Sequence, residues 1–134
     1  MDSALRQLVR LRAGDRCEYC RLRQEDLPGC PFHLEHIRPR QHGGTGEPEN
    51  LAWACFRCNR HKGPNLTGID PETGQLVRLF DPRRHRWEDH FEFRGPVIAG
   101  STPMGRATAS LLTMNATERL EFRTVLLRTG GLLE

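Results

Sequence analysis

The sequence predicts an α+β fold in a single domain over residues 1–134. Apolar residues at helical spacing occur near both ends of the chain, and short extended runs lie between them. Four of the five cysteines form two C-x-x-C pairs, a spacing that offers two thiolates to one metal ion from a tight knuckle. These observations favour a small strand and helix core held by a four-cysteine zinc site, flanked by an N-terminal helix and by C-terminal strands and helices.

Length and composition restrict the class of protein. A chain of 134 residues with 37% hydrophobic residues fits one modest core, and no apolar run is long enough for a transmembrane helix. The first 14 residues contain scattered arginines and no apolar signal core. An odd number of cysteines, four of them in C-x-x-C pairs, fits a reducing compartment better than a disulfide framework. We therefore expect a soluble, cytoplasmic protein.

The charge balance favours a polyanionic partner. The net charge is +3, and all but one of the 20 basic residues are arginine, whose planar fork matches phosphate. Residues 1–63 hold 11 basic and 8 acidic side chains, so the excess lies in the half that carries the cysteine pairs. A general compositional bias toward arginine would give the same preference for that residue, so the charge pattern alone does not decide the partner.

Local signals predict where the core elements lie. Residues 3–13 carry apolar side chains at helical spacing and indicate a basic amphipathic helix. Residues 32–38 form a short extended run, and residues 50–61 indicate a strand or turn that passes into a helix closed by Gly63. A glycine-rich loop over residues 41–48 separates the two segments.

The segment of residues 64–134 predicts accessory elements. They are, in order, a turn over 69–76, an extended run over 76–80, an extended segment over 91–99, a helix from a Thr102 cap through Met114, and a final helix that ends at Gly130-Gly131. Asn115 and Glu118 have the spacing of a capping box, so we expect the Asn115 side chain to cap the final helix.

The predicted zinc site is closed and therefore structural. Its four ligands are Cys17, Cys20, Cys55 and Cys58, which would leave no open coordination position on the ion. The fifth cysteine, Cys30, is expected to be a loop thiol without a ligand role. Chemistry must then come from residues that the zinc site holds together, and polar residues lie both between the cysteine pairs and directly after the second pair.

Four of these polar residues fit the hydrolysis of a phosphodiester, which requires a base for water and a cation to offset charge. His36 has a free pKa near neutral and can act as the base. Glu35 and Asn59 each offer an oxygen to a hard cation such as Mg²⁺. Asn50 can hydrogen-bond near the histidine and fix its orientation and tautomer.

The motifs resemble those of the zinc-stapled HNH endonucleases. They are Cys17-x-x-Cys20, Glu35-His36-Ile37-x-Pro39, Gly43-Gly44, Asn50-Leu51 and Cys55-x-x-Cys58-Asn59-x-x-Lys62-Gly63. The resemblance covers residues 14–63 and implies a ββα-metal fold, also called the His-Me finger, in which two antiparallel strands and a helix clasp one catalytic cation. It implies hydrolysis of double-stranded DNA with Mg²⁺ or Mn²⁺ in a small stand-alone bacterial or phage-like protein.

The resemblance also implies a role for each matching residue. Glu35 and Asn59 correspond to the metal ligands, His36 to the general base, and Asn50 to the residue that orients the base. Asparagine at position 59, where many members have histidine, makes the chain an HNN-like variant, and Glu35 replaces the commoner aspartate. Cationic residues near the motif are expected to contact phosphate, namely Arg38, Arg60 and Lys62.

Two other functions stay open at this point. A noncatalytic zinc-stabilised DNA-binding or adaptor module would keep the same scaffold, and a nuclease acting on RNA or modified DNA would use the same phosphate chemistry. The sequence does not decide between nicking and double-strand cleavage, and it leaves a homodimer open. We expect two metals with separate roles: a tightly held structural Zn²⁺ and an exchangeable Mg²⁺ or Mn²⁺ needed only for cleavage.

Overall fold

The computed structural model describes residues 3–130 and has the predicted α+β class. Within that range it contains four α-helices and three two-stranded antiparallel sheets. The helices are α1 (Ser3–Arg12), α2 (Phe56–Lys62), α3 (Pro103–Leu111) and α4 (Thr117–Arg128). The sheets pair β1 (Phe32–His36) with β2 (Leu51–Cys55), β3 (Thr67–Ile69) with β4 (Leu76–Arg78), and β5 (Phe91–Arg94) with β6 (Val97–Gly100).

The described chain divides into two compact units. The first comprises residues 3–66 with residues 81–84, and the second comprises residues 67–80 with residues 85–130. The prediction of a single domain covers residues 1–134, which extends beyond the described range, and it stays a prediction. The predicted end of the last helix at Gly131 also lies outside the described residues. No helix in the described range has the length and apolar character needed to cross a membrane.

The first unit is built on a strand, strand and helix motif. β1 and β2 are antiparallel, with Phe32 opposite Cys55 and His36 opposite Leu51. β2 is buried along its whole length and runs directly into α2, because Cys55 serves as the N-cap and accepts the Cys58 N–H. α2 ends at Gly63, whose φ of 49° suits a residue without a Cβ. The predicted order of strand, loop and helix is confirmed, and of the strand or turn expected before the helix the structure has the strand.

Helix α1 fixes this motif from one side. Its Val9 is fully buried, and the Arg12 Nη2 donates to the Leu51 carbonyl at 2.7 Å. The Arg6 guanidinium lies 5.0 Å from the centroid of the Trp53 ring, a cation–π arrangement, and also donates to the Phe32 carbonyl. The predicted N-terminal helix is confirmed, and two of its arginines bind the small sheet.

The second unit departs from the sequence prediction in two places. The predicted capping box is wrong, because α4 is preceded by Ala116 without a side-chain cap, and the Asn115 amide instead bonds the N–H and carbonyl of Ile98 at 2.9 and 2.8 Å. The sequence predicts only a turn near β3, yet that strand pairs with β4. The Thr102 cap of α3 is confirmed by a 3.0 Å bond from the Gly105 N–H.

Candidate functional site

The four predicted zinc ligands form one cluster in the first unit. All four Sγ atoms lie within 4.8 Å of one another, and each residue is buried. The Cys20 and Cys55 Sγ atoms are 3.8 Å apart. A tetrahedral zinc with Zn–S bonds of about 2.3 Å would have S···S edges of about 3.8 Å. The described cysteines form no disulfide, so the cluster fits a structural zinc ion by both residue type and spacing.

The cysteine pairs join the chain before β1 to the start of α2. In each pair the second cysteine N–H donates to the Sγ of the first at 3.4 Å, from Cys20 to Cys17 and from Cys58 to Cys55. Burial, followed by hydrogen bonds with the neighbouring thiols, raises the pKa of Cys17, and burial raises the pKa of Cys58 as well. A bound dication would oppose that rise and hold the sulfurs as thiolates.

An open cleft of about 440 Å³ lies where β1 ends beside α2. Its lining includes Glu35, His36, Arg40 and Asn59. Three residues predicted to do the chemistry therefore meet at one surface. Asn59 is partly exposed and lines the cleft, so its side chain is placed to meet a ligand.

The environment of His36 favours a neutral imidazole. Burial lowers the pKa of His36, and the positive charges of Arg40 and Lys62 lower it further. The Nε2 atom is buried and has no hydrogen-bond partner in the described part of the chain. A histidine whose pKa lies below its usual value is already in the proton-accepting form at neutral pH, which a general base requires.

Asn50 acts on the loop after β1 and forms no hydrogen bond to the His36 ring among the described residues. Its Oδ1 accepts the Arg38 N–H at 2.9 Å, and its Nδ2 donates to the carbonyls of Arg38 and Thr45 at 3.0 and 2.6 Å. The Asn50 carbonyl also accepts the Ile37 N–H. These bonds hold the backbone that follows His36, and the role of Asn50 in orienting the base stays a prediction.

Both carboxylate oxygens of Glu35 accept hydrogen bonds inside the protein. Glu35 is only 4% exposed, and its Oε2 accepts from the Lys62 Nζ at 2.8 Å while its Oε1 accepts from the Tyr19 hydroxyl. Burial raises the pKa of Glu35, and Lys62 and Tyr19 oppose the rise. Each carboxylate oxygen has a second lone pair, so the residue can face the cleft and still keep both internal partners.

Lys62, which the sequence predicted to be a phosphate contact, is buried and bonds partners inside the protein. It is 1% exposed, and its Nζ donates to Glu35, to the Ile37 carbonyl at 2.9 Å and to the His36 carbonyl at 3.4 Å. An ammonium has three donors, and all three are used inside the protein. The other two predicted phosphate contacts, Arg38 and Arg60, are exposed and stay predictions.

The sequence reasoning missed two residues of the site. Tyr19 is the only tyrosine of the chain and lies between two of the clustered cysteines, which is a signal of a specific role. Arg40 lies four residues after His36 and exposes its side chain at the cleft. The status of Lys62 as the only lysine among 20 basic residues was a further signal, because three convergent oxygens suit an ammonium better than a planar guanidinium.

The comparisons with known proteins agree with this geometry. Residues 17–65 match the family model described as HNH endonuclease. Comparison with curated proteins gave no match, and comparison with solved structures gave none. The matched segment contains all four clustered cysteines, both strands of the first sheet, α2 and the residues named at the cleft. Residues 17–65 of this chain are therefore similar to the HNH endonuclease domain.

Proposed function

We propose that this chain is a metal-dependent endonuclease that hydrolyses phosphodiester bonds in DNA. The observation that carries the proposal is the cleft at the end of β1, where His36, Glu35 and Asn59 meet within the matched segment. A base with a lowered pKa and two oxygen ligands for a hard cation are the parts that phosphodiester hydrolysis needs. A module that only binds DNA has no need to hold these groups together.

His36 is the proposed general base. It accepts a proton from a water molecule whose oxygen attacks the phosphorus atom, while the bond from phosphorus to the departing oxygen breaks. Because its pKa is lowered by burial and by Arg40 and Lys62, the imidazole is ready to accept that proton at neutral pH. A positioned base of this kind contributes about 10²- to 10⁴-fold in rate.

Glu35 and Asn59 are the proposed ligands of a catalytic cation. Their carboxylate and amide oxygens suit Mg²⁺ or Mn²⁺, which keep several waters and need few protein ligands. When bound, such an ion would offset charge on the phosphate and on the departing oxygen. The Lys62 ammonium already offsets the charge of Glu35, so the ion should bind weakly and exchange freely, unlike the Zn²⁺ proposed for the cysteine cluster.

Exposed arginines supply the proposed contacts to the DNA backbone. Arg40 lies in the cleft itself, and Arg38 and Arg60 are exposed on the loop and helix beside it. Their guanidinium forks match phosphate oxygens and position the strand without reading its sequence. Arg40 is therefore the proposed phosphate contact in place of Lys62, which the sequence predicted for that role but which is buried.

Supercoiled plasmid tests this proposal. The protein is incubated with plasmid in Mg²⁺, Mn²⁺ or EDTA, together with the variants Asn59→Ala and Asn65→Ala. Asn65 bonds the Lys62 carbonyl at the end of the same helix and serves as a matched control. We expect cleavage in Mg²⁺ or Mn²⁺ by the parent and by Asn65→Ala, a large loss in Asn59→Ala, and none in EDTA. DNA binding without cleavage in every condition would refute an enzyme and favour a binding module.

A further inference from the structure

Each of the two C-x-x-C pairs has a nearby residue that donates a hydrogen bond to the Glu35 carboxylate. Tyr19 lies between Cys17 and Cys20, and its hydroxyl donates to the Oε1 of Glu35. Lys62 lies in α2, the helix that contains Cys58, and its ammonium donates to the Oε2 of Glu35. Each C-x-x-C pair is thus connected through one short piece of chain to one oxygen of the acidic residue at the cleft.

The first knuckle is held firmly against the sheet, so the Tyr19 hydroxyl has little freedom. The neighbouring Glu18 N–H donates to the Trp53 carbonyl at 2.8 Å, and the Glu18 Oε2 accepts the Trp53 N–H at 2.8 Å. Tyr19 itself is fully buried. The knuckle is therefore bonded to β2 through Glu18 and to β1 through Tyr19, and both anchors lie between two clustered cysteines.

The second anchor also supports the base. The Lys62 ammonium that binds Glu35 donates to the backbone carbonyls of His36 and Ile37. The Glu35 carboxylate and the His36 backbone therefore share the Lys62 ammonium as a hydrogen-bond donor. With Tyr19 on one oxygen and Lys62 on the other, the Glu35 carboxylate has a single orientation, and rotation about its last bond would break both hydrogen bonds.

We propose that Tyr19 is a positioning residue that transmits the geometry of the cysteine cluster to Glu35 at the cleft. The inference rests on the proposed function in one respect, since it takes Glu35 to be a ligand of the catalytic cation. Removal of the Tyr19 hydroxyl leaves the ring in place but leaves the Glu35 Oε1 without this donor. The orientation of the carboxylate is then no longer fixed by two hydrogen bonds. Loss of a partner that orients a metal ligand typically weakens metal affinity by about 10- to 100-fold.

The test compares zinc-loaded parent protein with Tyr19→Phe and Thr108→Val. The control also removes one fully buried hydroxyl, but in the second unit, where Thr108 accepts the Phe80 N–H and donates to the Met104 carbonyl. Zinc per chain is measured by elemental mass spectrometry, and Mn²⁺ affinity by electron paramagnetic resonance. We expect one zinc per chain in all three proteins and an increase of about 10- to 100-fold in the Mn²⁺ dissociation constant of Tyr19→Phe alone.

A Tyr19→Phe protein that keeps its zinc and binds Mn²⁺ within twofold of the parent overturns the positioning role and leaves the proposed function standing. A parent protein that binds no Mn²⁺ contradicts the proposed function, and the role of Tyr19 with it. If Tyr19→Phe fails to fold, fluorotyrosine decides, because the chain has one tyrosine and global replacement labels that site only. Its ¹⁹F resonance should shift as Mg²⁺ binds, and an unchanged resonance at saturating Mg²⁺ overturns the proposal.

Discussion

Replacement of Lys62 by methionine should cause a large loss of stability that depends on pH. The variant keeps a side chain of similar length but removes the cation that lies 2.8 Å from the Glu35 carboxylate, in a site where the two side chains are only 2% and 4% exposed. Breaking a buried ion pair at one partner costs about 3–5 kcal/mol, because the remaining charge is left uncompensated. The carbonyls of His36 and Ile37 lose their shared donor as well.

The loss should depend on pH because it comes from a buried carboxylate. Burial raises the pKa of Glu35, and in the parent Lys62 opposes that rise. Without Lys62 the folded-state pKa lies further above the unfolded value of about 4.3. The unfolded state then releases its proton first, so stability falls as pH rises from the unfolded pKa toward the folded one. We expect a small deficit near pH 4 and the full deficit near pH 7.

The assay is chemical denaturation of zinc-loaded protein in a Trp87→Phe background, where Trp53 of β2 is the single tryptophan and reports the first unit. Arg94→Met is the matched control, since its partner Glu92 is 2.7 Å away but both side chains are more than half exposed. The control should lose less than about 1 kcal/mol. Adding Glu35→Gln to Lys62→Met should recover most of the loss. A deficit below about 1 kcal/mol at pH 7, or one that is equal at pH 4 and pH 7, would refute the reasoning.

Three further outcomes follow from the site. Arg40→Ala should raise the pKa of His36, because Arg40 is one cause of its lowering, and should move the acidic limb of the pH–rate profile to higher pH; an unchanged limb would contradict this. Asn50→Ala removes three hydrogen bonds and should speed hydrogen exchange at the Arg38 amide while zinc is retained, unlike a substitution that acts through the cluster. Cys58→Ser should lose zinc and unfold the first unit, since structural zinc contributes about 10–16 kcal/mol, whereas Cys30→Ser should keep zinc by elemental analysis.

Signals carried by neighbouring residues made much of the first unit predictable. The spacing of the two C-x-x-C pairs alone predicts which four cysteines cluster, and Gly63 marks the end of α2 because it takes a positive φ there. Helical spacing of apolar residues located α1 within one residue of its observed end. The short extended run over residues 32–38 that became β1 was also a local feature, so these elements needed no knowledge of the tertiary structure.

The internal partners of the site were not predictable in the same way. Tyr19 and Lys62 are 16 and 27 residues away from Glu35 in the chain, so their convergence on one carboxylate leaves no periodic signal. From the sequence, Lys62 beside the nuclease motif was predicted to contact phosphate, because its burial is a tertiary feature that the sequence does not show. The prediction for Asn115 was wrong for a related reason. Its amide bonds the N–H and carbonyl of Ile98 on the free edge of β6 and does not cap the helix that follows.

The central claim is that His36 activates water for DNA cleavage. The direct measurement is the single-turnover rate of plasmid cleavage in Mg²⁺ by the parent, His36→Ala and His61→Ala, with zinc content and DNA binding measured in parallel. His61 is an exposed histidine of α2 and controls for loss of an imidazole near the site. The account predicts that His36→Ala keeps its zinc and binds DNA but cleaves about 10²- to 10⁴-fold more slowly, while His61→Ala cleaves normally. Cleavage by His36→Ala at the parent rate would contradict it.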